Sequence, residues 1–245
     1  MEVNGCVFSL HRTAQPVSLA TEDGMFIGHF GVALAAKKLT PSVRLGTLLL
    51  AAQFLDFLWP ILLVTGLEKV AIVPGITVVN PLDFTSYPIS HSLLAVIGWA
   101  LLFGFAYYMW HRSPKCSFVL GILVVSHWVL DLIVHRPDLP IMPNSPARYG
   151  LGLWNSLSAT VAVEGALFIL GIGLYLSATR TRDRIGNWAL WLFIIVLGGL
   201  YAANLFGPPP PDTKIIGWTA LALWLFVPWA YWIDRHRRAL GDSSR

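Results

Sequence analysis

Apolar positions along this chain gather into long, nearly unbroken blocks, and the polar positions collect at Lys-, Arg- and Pro-rich joints between them. A helix needs about 20 consecutive apolar residues to cross a bilayer, and most of the blocks are close to that length. In order, they predict helices over residues 25–36, 45–64, 90–110, 116–135, 151–177, 188–206 and 215–233. The first is well short of a span, so it either begins earlier or re-enters the membrane. Residues 65–88, broken by Pro74, Gly75 and Pro81, read as a half-apolar loop too interrupted to span. Residues 136–148 form a proline-rich loop, and residues 208–211 a proline turn. The pattern predicts an all-α polytopic membrane helix bundle with six or seven transmembrane helices. It divides into an N-terminal tail (1–20), a helical membrane core (21–178), two additional transmembrane helices (179–234) and a basic tail (235–245) expected to be solvated. No internal repeat is evident.

Composition supports the membrane assignment. The 245 residues are 56% hydrophobic and 12% charged, about half the roughly 25% charge of a soluble domain. Mean hydropathy is +0.64. Eleven Trp and 7 Tyr are available for belts at the membrane surfaces. The net charge of +4 resides in short loops and the ends, so it bears on topology and not on nucleic acid, which is not an expected partner; membrane lipids are. Cys6 and Cys116 form no disulfide or metal pattern. The first 20 residues lack the apolar stretch of a cleaved signal peptide.

The basic residues set the orientation. The joints after helices one, three, five and seven hold 12 of the 17 Lys and Arg; the alternate joints hold only Lys69, Arg136, Arg148 and Lys214. By the positive-inside rule the first set faces the cytoplasm, so the C-terminus is expected there.

Against this background the polar residues inside the blocks stand out. In Ser126-His127-Trp128-Val129-Leu130-Asp131-Leu132-Ile133-Val134-His135, the residues His127, Asp131 and His135 are four apart and share a helix face. An imidazole and a carboxylate on one face make half a site for a zinc-type ion. Given the predicted helix directions, His29, Asp56, His91 and Glu164 fall in the same extracytoplasmic layer. Asp56, Asp131 and Glu164 would together cost of order 8–10 kcal/mol uncompensated near the bilayer centre. A metal ion offsets that cost while leaving the carboxylates charged. Acid–histidine pairing without metal, or an acid-lined ion path, would also offset it. His11, His111 and His236 lie at ends or in tails and are assigned no role.

Several of these segments resemble the membrane-bound metal-dependent hydrolases, a family of bacterial integral membrane proteins. The matching pieces are Gly28-His29 with Lys37-Lys38, then Leu55-Asp56 before Pro60, then His91-Ser92-Leu93-Leu94. After them come Ser126-His127-Trp128-Val129-Leu130-Asp131, His135-Arg136-Pro137-Asp138-Leu139-Pro140, and Gly150-Leu151-Gly152-Leu153-Trp154-Asn155 with Glu164 downstream. That family in turn looks distantly like the zinc-dependent phospholipase C group, whose helices carry an ordered His, Asp, His, His-x3-Asp, His set. The resemblance implies metal ligation by His29, Asp56, His91, His127, Asp131 and His135, with Glu164 standing for a later glutamate ligand. Thr160 stands where that group places a histidine four residues before the glutamate. One or two divalent ions, zinc first among them, are therefore what the resemblance implies, in a bacterial inner membrane.

The function expected is metal-dependent hydrolysis, of a phosphoester in the manner of phospholipase C, with Asp56 and Asp131 as catalytic carboxylates. Two other readings use the same residues. A cation or proton transporter would take the buried His/Asp/Glu set as its path. A metal-free lipid-phosphate phosphatase would take His127 as nucleophile and Asp131 as its orienting acid, but residues 121–126 lack the arginine that such a site needs for phosphate. A non-catalytic membrane scaffold is a third.

Overall fold

A computed structural model describes residues 27–240, so the expected tail over residues 1–20 lies outside the described residues. The described chain is mostly helical: α1 (Ile27–Ala36), α2 (Leu45–Ala52), α3 (Phe54–Val64), α4 (Leu93–His111), α5 (Pro114–Val134), α6 (Leu157–Ala178), α7 (Arg184–Phe206), α8 (Thr213–Ala220) and α9 (Phe226–Arg235). Five helical stretches are long and apolar enough to cross a membrane; α2 with α3, bent by 58°, makes a sixth if the pair is one span. α8 and α9, joined through a 3-10 turn at Leu221–Leu225, form one of the five. The described part of α1 has 10 residues, about half a span, so length alone supports six crossings and not a seventh.

The outer faces of the long helices are apolar, as lipid requires. On α4, Leu94, Ile97, Leu101, Leu102 and Phe105 are exposed, and Trp110, Trp188 and Trp218 are exposed near helix ends where belt residues belong. α1 is the opposite case. Nearly all of it is buried, and it packs on α6, α2 and α5. Two glycines bring α1 and α6 into backbone contact. A Cβ on Gly31 would lie 2.5 Å from the Leu167 carbonyl oxygen, and one on Gly171 would overlap the Gly31 backbone. Small residues at a crossing are how membrane helices gain close van der Waals packing. Of the two helices expected as an addition to the core, the second, α8 with α9, packs directly on it, α9 against α2 and α8 against α3, while the first, α7, packs on α9 and touches α1.

Three short antiparallel strand pairs, none anticipated from the apolar pattern, tie the loops. β1 (Lys69–Ile72) pairs with β2 (Leu82–Ser86) across the expected irregular loop, and β3 (Leu139–Pro140) with β4 (Arg148–Tyr149). β5 (Thr179–Thr181) pairs with β6 (Arg237–Ala239), so this part of the basic tail is strand-paired and not a free solvated end. The expected single helix over residues 45–64 is also revised: it breaks at Gln53 (φ −104°, ψ 12°), which lies outside helical geometry.

Candidate metal centre

The break at Gln53 is where the site begins. A continuous helix would use the Ala52 carbonyl internally; here it accepts a hydrogen bond from the His127 Nδ1–H of α5 at 2.8 Å. That bond fixes the tautomer and turns the other ring nitrogen, Nε2, toward the interior. Asp56 lies three residues past the break, in the first turn of α3, and Asp131 lies one turn beyond His127 on α5. Both carboxylates converge on His127 Nε2: Asp56 Oδ1 and Asp131 Oδ2 each lie 3.3 Å away.

His91 arrives from the turn before α4. Its Nε2 lies 3.6 Å from Asp131 Oδ2 and 3.8 Å from Asp56 Oδ1. Its Nδ1 is held by a relay. The Ser90 hydroxyl donates its one proton to Glu68 Oε2 at 2.6 Å, so it accepts the His91 Nδ1–H at 2.7 Å. Glu68 Oε1 accepts the backbone N–H groups of Ile89 and Ser90, each at 2.8 Å. Two indoles secure the turn, Trp128 donating to the His91 carbonyl at 3.0 Å and Trp99 to the Ile89 carbonyl at 2.8 Å. α1 contributes His29, stacked face to face on His127 at 3.7 Å, with Nε2 3.2 Å from Asp131 Oδ1.

Five of the seven residues singled out in the sequence therefore meet: His29, Asp56, His91, His127 and Asp131. Their ligand-type atoms form two overlapping triads, His29–Asp56–His127 and His91–His127–Asp131, each within 4.8 Å. Both are buried; Asp56, at 8% exposed, is the most open of the five. The donor set fits a divalent ion of the zinc type, three imidazoles and two carboxylates. The structure itself points the same way. With Nδ1 turned to the Ala52 carbonyl, His127 aims Nε2 at two carboxylate oxygens, and neither His127 Nε2 nor Asp131 Oδ2 has a hydrogen-bond partner among the described residues. Two buried carboxylates and a ring nitrogen so placed call for a positive charge among them, which a metal ion or a proton on Nε2 supplies. Because an imidazole nitrogen offers one lone pair, His127 serves one ion only, so the two triads are not two complete sites.

His135 and Glu164 are not in either triad. His135 donates from Nδ1 to Asp138 Oδ1 at 2.9 Å, an oxygen that also accepts the Tyr87 hydroxyl at 2.9 Å. The ring stands among Phe84, Tyr87 and Trp154. Burial, together with the Asp138 charge, pushes the Tyr87 hydroxyl well above its ordinary pKa, so it remains a donor. Arg136 joins this outer network through Asp83 and, at 3.5 Å, Asp138. Glu164 is fully buried on α6, with Tyr201 of α7 within its electrostatic reach. The residues that sequence reasoning passed over are Glu68, Ser90, Tyr87 and Asp138. Ser90 carried a signal by directly preceding His91, and Asp138 by standing in the His135–Pro140 piece of the resemblance.

A family model described as YdjM inner membrane protein matches residues 24–206, which include every residue of both triads. Neither the curated proteins nor the solved structures give a match.

Proposed function

This chain belongs to the YdjM inner membrane protein family, and from that premise we propose that it is a metal-dependent hydrolase acting on a phosphoester at the extracytoplasmic half of the membrane. Its metal ligands are His29, Asp56, His91, His127 and Asp131, and zinc, as one or two ions, is the metal the donor set favours. The observation that carries the reading is the convergence of His127 Nε2 on two buried carboxylate oxygens at 3.3 Å, with Nδ1 held by the Ala52 carbonyl and His29 and His91 alongside. A bound divalent ion supplies Lewis acidity toward water and toward a phosphoryl oxygen.

The chain's own residues do the rest. Asp131 presents Oδ1 to His29 and Oδ2 to His91 and His127, so its two oxygens reach both halves of the cluster. Asp56 is the most accessible carboxylate and takes the role of orienting the attacking water and accepting its proton. The Glu68–Ser90 relay and the Ala52 carbonyl hold two imidazoles in one tautomer and orientation. The β1–β2 and β3–β4 pairs tie down the loops that bring Glu68 to Ser90 and Asp138 to His135 and Tyr87. A lipid phosphoester is the favoured substrate because the cluster lies within a bundle of membrane-length apolar helices.

The test is turnover of a phospholipid panel by the purified full chain, with and without chelation and zinc. Activity should vanish on chelation and return with zinc, and Asp56→Asn should lower it by about 10²–10⁴-fold. Turnover surviving both exhaustive chelation and Asp131→Asn would overturn the mechanism.

A further inference from the structure

At the end of the bundle away from the His/Asp cluster, where α1, α6 and α9 finish and α2 and α7 begin, lies a cleft of about 960 Å³. Lys37 on its wall follows His29 by eight residues, roughly 12 Å along a helix axis. Five arginines line it: Arg44, Arg182, Arg235, Arg237 and Arg238. The one carboxylate there, Asp234, is already used. Its Oδ2 takes Lys37 Nζ at 2.8 Å and the Leu45 N–H at 2.6 Å, and its Oδ1 takes the Tyr175 hydroxyl at 3.2 Å. Among the described residues none of the five arginines is ion-paired.

Arg237 makes the case strongest. It is 5% exposed, and its guanidinium donates to neutral oxygens, the Thr179 hydroxyl at 3.0 and 3.1 Å and the Gly186 carbonyl at 3.2 Å, and stands over the Tyr175 ring at 5.4 Å; Asp234 acts on it through space without forming an ion pair. A buried cation is ordinarily paired with an anion. The β5–β6 pair sets it in place, with Thr181 opposite Arg237 and Arg180 opposite Arg238. A chain segment of this charge, left to itself, would spread into solvent; here it is bound into a wall that concentrates positive charge on one concave surface.

We propose that this cleft is a binding site for a phosphate anion, the group shared by the headgroup of an anionic lipid and by free phosphate. Guanidinium groups suit it because they bind phosphate oxygens in pairs. Basic pockets at the cytoplasmic ends of membrane helices meet anionic lipid headgroups at that depth. The site is independent of the hydrolase reading and shares no residue with the cluster.

The experiment uses the full chain in mixed micelles of phosphatidylglycerol and phosphatidylcholine, reading retained lipid by native mass spectrometry, with calorimetric titration of inorganic phosphate in zwitterionic detergent alongside. Preferential retention of phosphatidylglycerol assigns the phosphate to lipid; saturable binding of inorganic phosphate without lipid preference assigns it to a soluble source. The absence of both signals overturns the proposal. The triple variant R44Q/R182Q/R235Q, at exposed positions, should weaken whichever binding is found by roughly tenfold or more, and 0.5 M salt should weaken it too because the Debye length, about 3 Å at 1 M and about 10 Å at 0.1 M, then falls short of the spread of these exposed charges around the anion. Unchanged binding in the triple variant overturns the proposal. If the triple variant does not fold, R182Q alone is the readout, with a loss of about threefold or more expected and no loss contradicting the site.

Discussion

His127 has its two ring nitrogens in opposite situations, one donating to a backbone carbonyl and the other turned to two carboxylates. His91 repeats the arrangement through Ser90 and Glu68. Partners of this kind set the basicity and aim of a ligating imidazole, and their loss typically costs 10–100-fold in metal affinity. Ser90→Ala should therefore lower zinc affinity by about 10–100-fold in a chelator competition, with the fold intact. Unchanged affinity would mean that His91 is not a ligand. The five clustered residues were legible in the sequence because an acid or imidazole inside an apolar helix is costly and stands out. Glu68 was not, because it sits in a loop where a carboxylate is unremarkable and it reaches Ser90 across 22 residues. His135 fits the four-residue spacing yet bonds Asp138: it caps the C-terminal end of α5 with extended backbone (ψ 146°) and so leaves the helical face that the spacing assumed.

The long helices follow from the length of their apolar runs, and α4 to α7 were legible for that reason. The break between α2 and α3 was not. Proline and glycine are the usual marks of a kink; Gln53 is neither, and Pro60 lies seven residues further on. β5 and β6 escaped notice because Thr-Arg-Thr and Arg-Arg-Ala carry no apolar alternation. α1 matters most among the elements, since it carries His29 and rests on α6 through Gly31 and Gly171. Gly171→Ala should destabilise the protein by about 1–3 kcal/mol, as overpacking does, and should reduce bound metal as α1 is displaced. Gly173→Ala, with open space around its Cβ, should do neither. Thermal unfolding and metal content of the two variants check this; equal behaviour would mean that the α1–α6 contact does not hold the site.

The whole molecule has two poles, the His/Asp cluster toward one face and the arginine cleft at the other. The distribution of Lys and Arg leads us to expect the cleft pole on the cytoplasmic side. In a background lacking Cys6 and Cys116, Ala147→Cys should label from outside with an impermeant reagent and Lys115→Cys should not; the reverse pattern would invert the orientation. The helical membrane architecture was legible from composition and block length. The depth and convergence of the cluster required the fold, since His29 comes from α1, too short to be read as a span, and Asp56 from α3, set at an angle by a break that the apolar run did not show. The central claim is that those five residues hold a divalent metal. Elemental analysis of the purified full chain, beside His127→Ala and His111→Ala, tests it most directly. The wild type and His111→Ala should carry about one or two equivalents of zinc or a related ion, with little left in His127→Ala. A wild-type chain without stoichiometric metal after incubation with zinc, or a His127→Ala variant that retains it all, would contradict the account.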